Sequence, residues 1–583
     1  MTDTATSTEH SSGSEPPYRR FILEAAPRLL GQLDREPLSP TWGSFDRDHW
    51  AWKFRDFPIN MLQFGLLPLS WLHQRPFADN PYAGNASLLA WLSGGLEALL
   101  GRQHRNGAFD TVGPYTQDHG VTLAMAYTVA TLVDRLGDAL ADALRSRAAD
   151  SVHRACAFAG RSDEDYAFIS NHQALFALAW LRAGRLLGDD ALIARGDHTM
   201  AEILRQQSSD GWYREYGGPD PGYESLGILY LAQVRTERPS PALDASLQRA
   251  LEFHAHCVHP DGSVGGGYAS RHTSLWYPGG FELLSREFPL ARAVARFLRA
   301  RLDAANVVTP ATVDPHNLPS LLNGYTVAAD ATRDEVVGGD DLPPLPFERT
   351  DAWHVFNESG IVVAAKPHYY AIANLNKGGA LVVFDRATSR VAYEDAGYVI
   401  RSGGHLWNSA LLGAGEGPEV AGGGTAVTSS ARFGRADREV LTPFKFVVLR
   451  LLNLTVFRSV ALGAVVRRMI IARLVTSRRD GPFRLLRRLD FSSERVEVRD
   501  EVVADEREGV TGVWRPRAFT AVHMGSARYF SGRDLVDASG GAAISPEHLA
   551  PRLGRAGRFT LRLVISCAAG RAPSVTQDDA PDA

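Results

Sequence analysis

A short polar motif recurs in the first half of the chain. QHRNGAFD begins at Gln103, QQSSDGWY at Gln206 and HPDGSVGG at His259. The intervals of 103 and 53 residues point to a unit of about 50 residues with one copy degenerate. A unit of that length holds two helices and their loops. One helical hairpin cannot bury its own apolar face, so hairpins of this kind stack side by side. The expected product is an α/α toroid, an incomplete barrel, with the repeated loops lining one mouth.

The segments between the motifs support this. LLAWLSGGLEALL, VTLAMAYTVATLVDRL, HQALFALAWLRAGRLL, SLGILYLAQV and LARAVARFLRARL all carry apolar residues at helical spacing. The toroid is expected over residues 18–305. Prolines and a Gly-Gly-Asp-Asp run then mark 306–350 as a linker. From residue 351 the pattern changes to short β-branched and aromatic runs: IVVAAK, YYAIAN, ALVVFD and later RFTLRLVISC. These predict an antiparallel β-sandwich over 351–572. The fold class is therefore multidomain α+β, a helical toroid followed by a sandwich. The polar termini, 1–17 and 573–583, are expected to be disordered tails.

One segment interrupts the β pattern. Between Lys445 and Arg488 the chain has eleven Lys or Arg and a single acid, Asp480, interleaved with FVVL, LLNLTVF, SVALGAVV and MIIA. No uncharged run reaches the ~18 residues of a spanning helix. Two readings of 442–488 stand: peripheral contact with an anionic membrane surface, or a pair of helices packed on the toroid with solvated arginines.

The net charge of −4 gives no case for nucleic acid as a partner. Three scattered cysteines form no metal or redox motif and fit a reducing compartment. The first residues lack the apolar core of a secretory signal. A cytoplasmic protein is expected, peripheral on the inner face of the membrane if the basic segment docks there. Neither a metal site nor a cofactor is expected.

The stretch from Gln206 to Ala232 gathers the chemistry. Asp220-Pro221 reads as a helix start, with Asp220 as cap and Pro221 at the first helical position. Tyr223 and Glu224 then lie in the first turn, where the backbone amides favour negative charge and ease deprotonation of a phenol. The preceding loop, with Trp212, Tyr213, Arg214 and Tyr216, is either a carbohydrate-contact surface or a capping loop with core aromatics. Asp118-His119 opens the helix of the first repeat, where His119 either faces the same mouth or serves as a structural cap. Trp42 to Phe57 either lines a sugar cleft or clamps the toroid as a belt.

Further residues carry a family likeness. Ser170-Asn171-His172 opens the helix HQALFALAWL, Tyr223 follows Asn171 by 52 residues, and Arg271-His272 lies on a later loop. GGALVVFDRATSRVAYEDAGYVI begins the β half. This layout resembles the heparinase II/III and alginate-lyase group of polysaccharide lyases. The resemblance implies β-elimination on a uronic-acid sugar. Asn171, with His172 and Arg271, would neutralise the sugar carboxylate. Tyr223 would take the C5 proton and protonate the leaving oxygen. Trp212, Arg214, Tyr216, His272 and His119 would contact substrate, an acidic polysaccharide or a lipid-linked oligosaccharide. The group carries a histidine just before the glycine pair. Here that place reads Ala373-Asn374-Leu375-Asn376-Lys377-Gly378-Gly379, and His405 is the candidate to replace it.

Three other functions remain compatible with the residues. A uronyl C5-epimerase removes the same proton and returns it on the other face. A non-catalytic glycan-binding or assembly protein needs neither step. A glycoside hydrolase would use paired acids, for which Glu215 and Glu224 are available but without a defined partner.

Overall fold

The computed structural model describes residues 17–162, 168–215, 217–304, 306–333, 341–412, 419–421, 425–437, 442–463, 465–466, 469, 479–505, 509–517, 529 and 549–578. The first half is helical: α1 (Tyr18–Leu30), α2 (Arg47–Trp50), α3 (Leu66–Gln74), α4 (Ala86–Gly101), α5 (His119–Leu136), α6 (Asp142–Ala159), α7 (Ser170–Leu187), α8 (Asp190–Gln206), α9 (Pro221–Glu237), α10 (Pro241–His256), α11 (Pro278–Leu284), α12 (Pro289–Arg299) and α13 (Leu318–Ala331). Polar side chains set several starts. Asn85, Asp118, Asp189 and Asp220 each accept a hydrogen bond from a first-turn amide of the helix that follows.

Helices α3, α5, α7, α9, α11 and α13 pack in succession, and α13 meets α3, so the inner ring is continuous. Helices α4, α6, α8, α10 and α12 pack outside their partners, and α1 covers α13. The toroid expected from the repeats is present. Each inner helix is followed by an outer one that returns, so α5, α7, α9 and α11 begin at the same mouth.

The repeat is visible in the turns at that mouth. The amides of His104, Ser208 and His259 donate to the carbonyls of Ala108, Trp212 and Ser263. Gly107, Gly211 and Gly262 close each turn at φ +94°, +102° and +85°, a region that favours glycine. Gln103 and Gln207 each tie their turn to a neighbouring helix, donating to Ser151 O and Ser246 O at 2.9 Å. The second copy thus aligns on Gln207, one residue beyond the start read from the sequence.

Two sequence boundaries need correction. The supposed linker 306–350 contains α13, which buries Leu318, Leu321, Leu322, Tyr325 and Ala328 inside the toroid. The flanking prolines and glycines concealed its helical spacing. The supposed tail from 573 contains a strand, Ser574–Asp578, paired with its predecessor. Residues 1–16 and 579–583, read as disordered, lie outside the described residues.

The second half is a sandwich of two antiparallel sheets. The first is a meander, β1 (Ala352–Phe356), β2 (Ile361–Ala365), β3 (Tyr369–Asn374), β4 (Ala380–Asp385) and β5 (Arg390–Asp395). The second contains β6 (Val399–Ser402), β7 (His405–Asn408), β8 (Glu419–Ala421), β9 (Ala426–Arg435), β10 (Asp480–Phe491), β11 (Arg495–Ala504), β12 (Val510–Trp514), β13 (Arg558–Ser566) and β14 (Ser574–Asp578). It runs β12-β6-β7-β9-β10-β11-β13-β14, with β8 paired to β9. The first sheet is covered on both faces. Ile361, Val363, Ala365, Tyr370 and Ile372 join the toroid core, while Val362, Ala364, Tyr369, Ala371 and Ala373 face the second sheet. That double burial explains why β2 and β3 read as continuous apolar runs instead of alternating. Arg487, fully buried, bridges the sheets by donating to Asp395 on β5 and Asp500 on β11, each at 2.7 Å.

The described residues of this half also include α14 (Pro443–Leu454) in the basic insertion and α15 (Leu549–Ala556). No helix among the described residues is long and apolar enough to cross a membrane.

Candidate active site

The site forms where α7 and α9 begin. Asp220 caps α9, accepting from the Tyr223 amide at 3.3 Å, with Pro221 in the first turn as the sequence predicted. The cap has a second task. Its other oxygen accepts from Arg271 Nε and from the Thr273 hydroxyl, each at 3.0 Å. Arg271 Nη2 also donates to Glu215 Oε2 at 3.3 Å. Glu215 in turn holds Asn171: it accepts from the Asn171 amide at 2.9 Å and from Nδ2 at 2.7 and 2.8 Å. Finally, the Arg271 guanidinium lies 4.2 Å from the centroid of the Tyr223 ring.

Asn171, Glu215, Asp220, Tyr223 and Arg271 therefore form one connected set. Glu215, Asp220 and Arg271 are at most 1% exposed, and Asn171 is 3% exposed. Tyr223 and His172 keep partly exposed surface. Burial raises the Glu215 carboxyl to about 7, against the opposing pull of Arg271 and Asn171. Burial also raises Asp220, again opposed by Arg271. One guanidinium thus serves two buried acids, which keeps their charge tolerable and fixes its own position over the phenol.

The β domain shapes both loops of the site. The β1–β2 turn presents Glu358, which accepts from the Ser208 hydroxyl at 2.8 Å and from Arg214 at 2.9 Å. Asp210 answers by accepting from the Glu358 and Ser359 amides at 2.9 Å. Asn374 donates to Tyr268 O at 2.8 Å. Lys377 Nζ donates to Gly267 O at 2.7 Å and Ala269 O at 2.6 Å, just before Arg271. Lys377 is 1% exposed, and burial lowers its ammonium to about 7, opposed by Asp220. So the position expected to hold a histidine holds an asparagine that braces the Arg271 loop, with Lys377 beside it.

The other expected site residues divide between the core, the domain boundary, the second sheet and the helix starts. Trp212 is 3% exposed and belongs to the core, so it offers no face to a sugar; the capping-loop reading applies to it. Arg214 is committed to Glu358 at the domain boundary. His405, on β7, contacts Asp437 at 2.9 Å and the Trp407 ring at 6.2 Å, within the second sheet. None of these described contacts reaches Tyr223 or Arg271, because the short β6–β7 hairpin places His405 in the outer sheet. His119 bonds Ser162 at 3.0 Å and meets the Phe176 ring. It lines a groove of about 650 Å³ with Gln173, Trp180 and Arg195. His272 is partly buried next to Arg271. Tyr216 lies outside the described residues.

Glu224, weighed as a hydrolase acid, is 1% exposed and faces the buried His254 at 3.4 Å. Burial raises the carboxyl well above its usual range and lowers His254 to about 3. The pair is therefore a neutral hydrogen-bonded contact within the core. In the Trp42–Phe57 stretch Asp46 accepts from Arg55 at 2.7 Å and from the Ile59 amide at 2.8 Å, and Trp50 donates to Gln32 O.

A helical toroid joined to an antiparallel sandwich is the fold of polysaccharide lyases that carry an α toroid. The chain superposes on the chondroitin AC lyase of Streptomyces coelicolor A3, solved in complex with chondroitin sulphate, with a TM-score of 0.53 at 14% identity. That match covers 87% of this chain and 69% of the other. A Paenibacillus xanthan lyase gives a TM-score of 0.50 at 12% identity, covering 85% of this chain and 46% of the other. No protein-family model and no curated protein matches the chain.

Proposed function

We propose that this chain is a polysaccharide lyase that cleaves a uronic-acid-containing glycan by β-elimination. The observation that carries the reading is the set Asn171–Glu215–Arg271–Asp220–Tyr223, assembled at the starts of two inner helices. In this reading the sugar carboxylate meets His172 at the amide-rich end of α7, where Glu215 holds Asn171 in place. Neutralising it lets negative charge develop toward the carboxylate as the C5 proton leaves. Tyr223, as phenolate, takes that proton. Electrons from the C5–H bond form the C4–C5 double bond, and the C4–O bond breaks. The tyrosine proton passes to the departing glycosidic oxygen. Arg271, above the ring, is placed to stabilise the phenolate while Asp220 and Glu215 hold it still. His405 has no part in this scheme. That the superposed chondroitin AC lyase was solved with an acidic polysaccharide supports the same substrate class.

The test is ultraviolet absorbance of the unsaturated uronate, read on a panel of uronate glycans with Tyr223→Phe alongside. Absorbance that rises with the parent and vanishes in the variant is expected. No rise on any glycan sinks the lyase reading. Deuterium entering C5 from heavy water would then make the chain a C5-epimerase, and none would leave a glycan-binding protein.

A further inference from the structure

The insertion between β9 and β10 carries an apolar surface that the fold leaves open. In α14, Phe444 is 76% exposed, with Phe446, Val447 and Leu451 above 50%. Leu462 and Met469, later in the same insertion, are also exposed. Asn453, Phe457 and Gly463 are the buried residues among those described between 442 and 463. They lie in a segment fixed to the toroid. Gln117 donates to Phe457 O at 3.3 Å, Arg458 donates to the Tyr115 hydroxyl at 3.3 Å, and Arg450 donates to Asp56 at 2.8 Å. The last contact adjoins a second exposed apolar pair, Trp52 and Phe54, whose rings stack at 5.8 Å.

Scattered exposed apolar residues need no explanation, but seven large apolar side chains exposed along one twelve-residue helix mark something that covers it. Charge identifies the cover. From Thr442 to Arg479 the sequence holds eight Lys or Arg and no Asp or Glu. Cations with no acid among them suit a uniformly anionic surface, which a charged bilayer leaflet provides. A basic helix with exposed phenylalanines, beside an exposed tryptophan, matches the requirements of a lipid interface. The apolar side chains enter the acyl boundary, the indole sits at headgroup depth, and the cations meet anionic lipid. No helix among the described residues is long and apolar enough to cross a membrane, and α14, at 12 residues, has the length of a helix that lies in the interface.

We propose that α14 and the Trp52–Phe54 loop dock the protein on an anionic lipid bilayer. The docked segment is fastened to the loop between Tyr115 and Gln117, at the mouth where α5, α7 and α9 begin. On the lyase reading, on which this step rests, the substrate is a glycan held at the membrane surface.

Vesicle sedimentation of the full chain tests this, with phosphatidylglycerol–phosphatidylcholine vesicles against phosphatidylcholine alone. The triple variant Phe444→Ser, Phe446→Ser, Val447→Ser removes only exposed side chains, and Lys445→Glu reverses one charge. The parent is expected to pellet with the anionic vesicles, less so at high salt. The triple variant should lower partitioning by about tenfold or more, and Lys445→Glu by less. A parent that stays in solution with both vesicles overturns the proposal, as does a triple variant that binds like the parent. Light scattering showing a parent dimer that the triple variant dissolves would assign the patch to a second copy instead. Absorbance on a soluble uronate glycan separates the two readings. Activity without vesicle binding removes the docking alone, and vesicle binding without activity on any glycan removes the lyase alone.

Discussion

The guanidinium of Arg271 lies 4.2 Å above the ring of Tyr223 while its nitrogens are held by Asp220 and Glu215. A cation on the ring face can then act on the phenol without blocking the hydroxyl. Tyr223→Phe keeps the ring and the stack and removes only the proton carrier. It is expected to cost at least about a hundredfold in kcat with little change in melting temperature. Steady-state kinetics and calorimetry on the same sample check both halves.

Arg271→Met tests the other side of that contact. It leaves two buried carboxylates without their shared cation, at a cost of about 3–5 kcal/mol. The double variant Arg271→Met, Glu215→Gln should recover part of the loss, since one of the stranded charges is gone. Denaturant unfolding of the two singles and the double measures the coupling.

Glu215 also predicts a pH dependence. Its folded value, about 7, lies above the ordinary 4.5, so the folded chain holds this proton where the unfolded chain has released it. Its contribution to stability is greatest below pH 4.5, falls as pH rises toward 7, and is fully lost above that. Glu215→Gln should flatten this decline relative to the parent in thermal unfolding across that window. An unchanged difference between the two proteins would remove Glu215 as its source.

Lys377 lies outside the proposed chemistry but braces the Arg271 loop. Lys377→Met leaves the Gly267 and Ala269 carbonyls without their donor, costing about 1–3 kcal/mol, and it also relieves a buried ammonium. The two effects oppose, so stability should move less than activity. A fall in kcat with a nearly unchanged melting temperature is the expected pattern.

Gly211→Ala should destabilise the turn before the site. Its φ is +102°, and an added Cβ would lie 2.4 Å from Arg249 O. A loss of about 2 kcal/mol or more is expected. Gly188→Ala, at φ +65° with open space around it, is the control and should cost about 1 kcal/mol.

The repeat was legible because each copy needs a glycine where the chain turns with positive φ, and that need survives when the other residues change. Asp220-Pro221 was legible for a similar local reason. Burial was not: the sequence places Trp212 in a polar loop, and only the folded packing shows the ring in the core. Glu215 was read as a hydrolase acid because nothing local reveals that Asn171, 44 residues earlier, bonds to it. The placement of His405 depends on strand pairing between distant segments, which no local pattern fixes. Helix α13 was hidden by the prolines that precede it.

The grip of Glu358 on the loop from Ser208 to Arg214 has a consequence for how the molecule is made. A ribosome delivers the toroid first and this clasp more than a hundred residues after the loop it closes. Until the β1–β2 turn arrives, the loop leading to Tyr223 lacks its outer support. Lys377 and Asn374 reach the Arg271 loop later still. The nascent toroid therefore holds the Asn171–Glu215–Arg271–Asp220 set without its outer braces, which come with the C-terminal half.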